Sequence, residues 1–336
     1  MKQTNKSIKF SFSLLTSILL CSFCYGQNQL TEEMIKKINL TDKQGIYSVA
    51  EVVKFDQQVL RADELVFSPN SVLELTNLDY DYILIVANKI KFTAPLKKAT
   101  IKRAFDVFAE NGTDGNLGSN GVSGTTGGKN GSDGTNGGIG QKGGKGKTKQ
   151  LPKIYIITNE VTSQASNQAL DYINLKLLFP GIDGGSGGNG GRGGNGGNGG
   201  NGRKSSSGAF DCKRGGGDGG NGGLAGKGGQ GGDGGDGGNG ADIFFIASDS
   251  AMEILSYSVV INTGGDSVAA GLPGAIGFPG FGGGAGAGSI HCSGGDSGAN
   301  GKNPVPLNEG NGQSGKEGAK GKIEKFNISN VEGLHF

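Results

Sequence analysis

Apolar and polar positions follow two different rules along this chain. Before residue 111 they form short runs rich in β-branched and aromatic residues: IYSVAEVVKF, ADELVFSP, SVLELTNL, YDYILIVANKIKF and ATIKRAF. Such runs predict strands. In YDYILIVANKIKF, Ile83, Ile85 and Ala87 alternate with Leu84, Val86 and Asn88, so both faces of that strand are expected to be covered. Ser68-Pro69-Asn70-Ser71 is a turn between two of the runs, and Thr31–Asn39 predicts a short helix. A β-sandwich and a few rungs of a β-solenoid both fit. Beyond residue 111 the runs KIYIITNEV, DYINLKLLF, ADIFFIAS, ILSYSVVINT and KIEKFNIS recur, separated by long tracts dominated by glycine.

The tract Gly181–Gly202, GIDGGSGGNGGRGGNGGNGGNG, has glycine at every third position, with a second glycine column from Gly185 to Gly200. The third column is polar: Ser186, Asn189, Arg192, Asn195, Asn198 and Asn201. A period of three suits neither an α-helix nor a strand. It fits an extended threefold helix of the polyproline-II type, which has no internal hydrogen bonds. Its N–H and C=O groups then need partners on neighbouring segments, and two bare faces allow those backbones to approach. A flexible linker is the competing reading, since glycine loses more freedom on ordering than any other residue; a linker, however, has no need of strict phase. A collagen-type trimer is disfavoured by only eight prolines in 336 residues.

The pattern repeats three times. Each unit has two strand-forming runs, an outgoing glycine tract, a break and a returning tract. The first pair of tracts occupies 112–127 and 128–146, joined by a single slip of phase. The second occupies 181–202 and 215–240 around the break 203–214, and the third 264–288 and 294–321 around Ser289–Ser293. The third return is itself interrupted by KNPVPLNE, 302–309. The expected fold class is mainly β plus polyglycine-II: a β-sandwich or β-solenoid base with three projecting hairpins of glycine-rich threefold helices packed as a bundle. The expected divisions are a signal peptide at 1–26 and a β-rich N-terminal domain at 27–110. A glycine-rich region follows at 111–321, with strand pairs at about 152–180 and 241–263, and then a C-terminal strand at 322–336. At about 3.1 Å per residue, the tract 181–202 would reach roughly 70 Å.

These GGX tracts resemble those of polyglycine-II helix bundle proteins, among them the glycine-rich antifreeze protein of snow fleas and the adhesin tips of some phage long tail fibres. The resemblance covers 111–321 and rests on Gly181–Gly202, Gly216–Gly240 and the G-x-y runs beside them. The phage adhesin pattern implies an attachment region followed by glycine helices whose distal loops choose a receptor. The export signal departs from phage adhesins and points to a bacterial envelope or secreted protein.

That signal is read from Lys2, Lys6 and Lys9, the apolar stretch Phe12–Phe23 and the small Gly26 before Gln27. The apolar run is too short to predict a membrane span after cleavage. The expected location is secreted, periplasmic or cell-surface. The formal net charge of +2 falls by three, to −1, when those lysines leave, and such a balance gives no reason to expect nucleic acid. Cys212 and Cys292 remain after the signal. Both fall in distal breaks, so a disulfide stapling two tips is expected in an exported chain.

Candidate chemistry is sparse. GGDGGD at Gly231–Asp236 matches the start of a calcium-binding nonapeptide, but Gly238 stands where a large apolar residue belongs; Asp233 and Asp236 are expected on a solvated column. No phosphate loop, metal-ligand spacing or nucleophile–base set is present, so the chain is read as no enzyme, without cofactor or metal. The second break carries Arg203, Lys204, Phe210, Lys213 and Arg214, and the third carries His291. Phe210, Lys213, Arg214 and His291 are the candidate tip residues for a cell-surface glycan or envelope component, against the plainer reading of reversal loops. In GLPGAIGFPGFGGG, Leu272, Ala275, Phe278 and Phe281 share one column. Leu272, Phe278 and Phe281 are the candidate partner face, against the plainer reading of an edge packed on the rest of the protein. Three functions follow: an exported structural or adhesive binding module, an envelope or matrix spacer without a specific ligand, and an ice-binding protein suggested by the regular polar columns.

Overall fold

A computed structural model describes residues 30–93, 98–126, 128–163 and 174–336. The expected signal peptide, 1–26, lies outside the described residues. Helix α1 (Glu32–Leu40) is N-capped by Thr31, whose side chain accepts from Met34 N–H, and it buries Met34 and Ile38.

Two large parallel sheets follow. One has six strands in the order β1 (Gln44–Val49), β3 (Val59–Phe67), β5 (Tyr82–Phe92), β7 (Lys153–Ser163), β11 (Ile243–Ala247) and β13 (Ile323–Asn327). The other has five in the order β12 (Val259–Ile261), β8 (Asn174–Leu178), β6 (Lys98–Arg103), β4 (Val72–Leu75) and β2 (Val52–Phe55). The chain therefore lays alternate strands in alternate sheets, and each turn stacks on the last. Helix α2 (Asp249–Leu255) lies between β11 and β12.

In-register stacking places like on like. Ile83 faces Ile154, which faces Ile243, which faces Ile323. Tyr155 and Phe244 stack with ring centroids 4.6 Å apart, and Phe67 and Phe92 at 5.5 Å. One core lies between the sheets and contains Phe67, Ile83, Ile85, Ile156 and Phe245 with Leu73, Leu75, Ile101 and Leu177. The opposite face of the six-stranded sheet, including Leu84, Val86, Ile157 and Ile246, is covered by Leu30, Met34, Ile38 and the C-terminal Phe326, Leu334 and Phe336. Burial on both faces is why β5 reads as a continuous apolar run.

The expected fold class is overturned. Among the described residues the regular architecture is two large parallel sheets with two short α-helices, not a bundle of glycine helices, and the glycine tracts contain no α-helix. The two strands of each expected pair also part company. β5 joins one sheet and β6 the other, as do β7 and β8, and β11 and β12. The physical reason is that triplet glycine spacing governs how closely backbones approach without dictating a regular element. The regular elements are set by the β-branched runs, which pair with their counterparts in the next turn rather than with their chain neighbours.

The tracts are extended connections that leave the five-stranded sheet and return to the six-stranded one. They bond to each other laterally. In the outgoing set, Gly115 N–H donates to Asn189 O (2.7 Å) and Gly190 N–H to Leu272 O (2.8 Å). In the returning set, Gly134 N–H donates to Asn221 O and Gly234 N–H to Gln313 O, each at 2.8 Å. The sets are joined antiparallel, as where Gly191 N–H donates to Gln141 O and Gly229 N–H to Gly191 O, both at 2.8 Å. A Cβ on Gly194 would run into the backbone of Ser119, which is why that column must be bare.

Arg103, 7% exposed, ties body to tract. Its Nε donates to Pro180 O (2.6 Å), Nη2 to Gly181 O (3.0 Å) and Nη1 to Ala104 O (2.8 Å). Burial lowers its pKa from the ordinary guanidinium value, and Asp183 acts in the opposite direction.

Candidate loop cluster at the far end of the glycine tracts

The reversals of the three out-and-back excursions are joined to one another. Arg203 N–H donates to Lys129 O (3.0 Å), Ser205 N–H to Ala287 O (2.9 Å) and Gly216 N–H to Ser293 O (2.8 Å). The third reversal closes on itself, Ser289 N–H donating to Cys292 O (2.9 Å). In the second, strands β9 (Ser206–Ser207) and β10 (Cys212–Arg214) pair antiparallel. Cys212 and Cys292 are disulfide-bonded, with Cα atoms 5.0 Å apart.

Phe210 is 94% exposed on this cluster. Lys213 and His291 are exposed and Arg214 is half-buried, its Nη2 donating to Lys204 O at 3.3 Å. The disulfide brings Phe210, Lys213 and Arg214 to the same end as His291. Within 128–130, 203–214 and 289–293, Lys129, Arg203, Lys204, Lys213 and Arg214 are positive and Asp211 is negative. Two members were missed in the sequence reading: Lys129, in a reversal marked only by a phase slip, and Ile290, 93% exposed.

Leu272, Phe278 and Phe281 are not part of this cluster. They lie along the outer column of the third outgoing tract, 66%, 65% and 69% exposed. The Arg192 guanidinium stacks on Phe278, 4.7 Å from the ring centroid, and its Nε donates to Ile276 O at 3.1 Å.

Asp233 and Asp236, expected on a solvated column, are half-buried, and each accepts a hydrogen bond from the neighbouring tract. Asp233 Oδ1 accepts Gln313 N–H (2.8 Å) and Asp236 Oδ1 accepts Lys316 N–H (2.7 Å). The same ladder recurs: Asn189 accepts from Leu272 N–H (3.0 Å), Asn195 from Phe278 N–H (3.0 Å) and Asn198 from Phe281 N–H (2.9 Å). The triplet Asn189-Gly190-Gly191 thus uses one N–H sideways within its set, one across to the other set, and one on the Asp114 side chain. A triplet period with Asn or Asp as its third member is the signal from which this ladder could have been read. Among the described residues, no group of three His, Cys, Asp or Glu is placed to hold a metal ion, and no helix is long and apolar enough to cross a membrane.

By fold and site the chain is a parallel-sheet protein whose long glycine connections end in a disulfide-joined, basic loop cluster. No family model matches it and no curated protein matches it. Among solved structures it is similar to the nine polyproline type II helical bundle springtail antifreeze protein from Granisotoma rainieri. The identity is 24%, the match covers 52% of this chain and 96% of that one, and the TM-score is 0.10. A score that low carries no argument about fold or function.

Proposed function

We propose that the chain is an exported, non-enzymatic structural and adhesive module that holds its distal loops out to an anionic cell-surface glycan or envelope polymer. One observation carries the reading: three reversals from separate parts of the chain meet at one end, the second and third joined by the Cys212–Cys292 bond and the first tied to the second where Arg203 N–H donates to Lys129 O. Five cations and the exposed ring of Phe210 crowd that end. Clustered cations attract polyanions and raise association rates, and an exposed aromatic ring offers a face for stacking. Joining the loops covalently lowers the entropy lost when a ligand orders them. The disulfide also suits an oxidising compartment outside the cytoplasm.

The test is a glycan array and whole-cell binding with the native chain and with Phe210→Ala/Lys213→Ala/Arg214→Ala, its fold checked by circular dichroism. Binding to anionic glycans should fall at least about tenfold, a loss of about 1.4 kcal/mol. Unchanged binding by the triple variant would sink the reading. A native chain that binds nothing across the array and the cells would favour a spacer without a ligand.

A further inference from the structure

The lateral bonding follows a translation rule, and the rule stops at one edge. From the first outgoing tract to the second the offset is 75 residues: Gly115 N–H donates to Asn189 O, and Asn189 N–H donates to Asp114 Oδ1 (2.6 Å). From the second to the third it is 83: Gly190 N–H donates to Leu272 O, and Leu272 N–H to Asn189 Oδ1. The onward donors Gly190, Gly193 and Gly196 therefore correspond to Pro273, Ile276 and Pro279. The onward acceptors Asn189, Asn195 and Asn198 correspond to Leu272, Phe278 and Phe281. Proline has no N–H, and Leu and Phe side chains accept nothing. On one tract, therefore, the donor is lost at Pro273 and Pro279 and the acceptor at Leu272, Phe278 and Phe281, while Ile276 keeps its N–H.

The returning set is interrupted beside it. Asp218 Oδ1 accepts from Asp296 N–H at an offset of 78, but Asp233 accepts from Gln313 N–H at 80. The two extra residues fall within 302–309, which contains Pro304 and Pro306. Of eight prolines in the chain, four lie in the last two tracts, and none lies in 111–126, 128–149, 181–202 or 215–240. The first outgoing tract is the opposite case. Asp114, Leu117, Asn120 and Ser123 are exposed, with no proline among them, and among the described residues no hydrogen bond uses their backbone N–H or C=O groups. One edge of the array is open and the other is blocked.

We propose that Leu272, Pro273, Phe278, Pro279 and Phe281, with the 302–309 interruption, form a stop that prevents a second copy of this chain from continuing the array through its open first tract. An edge of each kind on one molecule would otherwise be a head-to-tail contact, which grows without closing unless symmetry closes it. Edge strands of sheets are protected against the same hazard by proline and by misplaced side chains.

Sedimentation velocity over a concentration series tests this on the full oxidised chain. The native chain should sediment as one species that does not grow with concentration. Pro273→Gly/Pro279→Gly/Leu272→Asn/Phe278→Asn/Phe281→Asn should give concentration-dependent, open-ended species. Leu272→Asn/Phe278→Asn/Phe281→Asn, which keeps both prolines, should not grow. Growth of the native chain overturns the proposal, as does equal growth of the asparagine-only variant. A five-fold variant that keeps the native amide-protection pattern and still does not associate also overturns it. If the five-fold variant fails to fold, Pro273→Gly/Pro279→Gly alone is compared with the native chain, and an unchanged sedimentation profile of that folded pair counts against the stop.

Discussion

The sheet body and the glycine tracts belong to one chain and solve the same problem in opposite ways. In the body, β strands satisfy their backbones along ladders, and the surplus stability comes from side chains: Phe67, Phe179, Phe245 and the stacked Ile83, Ile154 and Ile243 are almost fully buried. In the tracts there are almost no side chains to bury. Triplets of the second outgoing tract, such as Asn189-Gly190-Gly191 and Asn195-Gly196-Gly197, instead distribute three N–H groups over two neighbouring backbones and one Asp or Asn oxygen. The body tolerates apolar side chains of suitable volume, whereas the second pair of tracts leaves room for almost no side chain on two of three columns and the outer tracts for none on one. Close packing of backbones is thus an alternative to a hydrophobic core, and it transfers specificity from shape to the presence or absence of a single Cβ.

The sharpest way to break this comparison is to add a side chain where none is allowed. Gly194→Val would place its branched side chain against the fixed backbone of Ser119. We expect a cost above about 5 kcal/mol within the tracts, the exceptional end of single substitutions. Hydrogen exchange should show lost protection across residues 111–126 and 181–202 with the sheets still protected. Uniform loss over the whole chain would mean that body and tracts unfold as one unit.

The converse change removes a side chain from the body. Phe245→Ala leaves a cavity between the sheets and should cost about 3–5 kcal/mol in denaturant unfolding. A cost below 1 kcal/mol would show that the body is not held by its core.

The smallest effect probes the ladder. Asn195→Leu keeps the bulk but removes the acceptor of Phe278 N–H, and should cost about 0.5–1.5 kcal/mol. The Phe278 amide should exchange faster while that of Gly274, which donates to Gly229 O, is unaffected. Equal acceleration at both amides would mean the side chain acts by packing rather than as an acceptor.

Much of this organisation was legible residue by residue. Most strand-forming runs became strands because β-branched residues buried on both faces leave a continuous apolar signature, as Ile83–Ala87 did, whereas ILSYSVVINT begins inside α2 and supplies only Val259–Ile261 to a strand. The glycine phase located the reversals, since a slip of one residue breaks a lateral register of three. The same phase does not set the fold class, because it specifies tolerance of close approach and no regular element. The candidate loop residues could be grouped because Cys212 and Cys292 sat in corresponding breaks. Lys129 could not, because its reversal contains no break in composition. The bonds accepted by Asp233 and Asp236 were not legible, because polarity alone does not reveal whether an oxygen faces water, a neighbouring N–H or both.

By itself the sequence determined which segments can lie backbone to backbone and which must be strands. Those properties depend on whether a Cβ is present and how it branches, and both are local. Only the tertiary structure decided that successive strands separate into two parallel sheets, that Asn189 and Asn195 serve the next tract, and that Pro273 and Pro279 stand where an onward donor would be. Each of these depends on offsets of about 75 to 90 residues between segments, a register that stacking of whole turns sets and that no local pattern encodes.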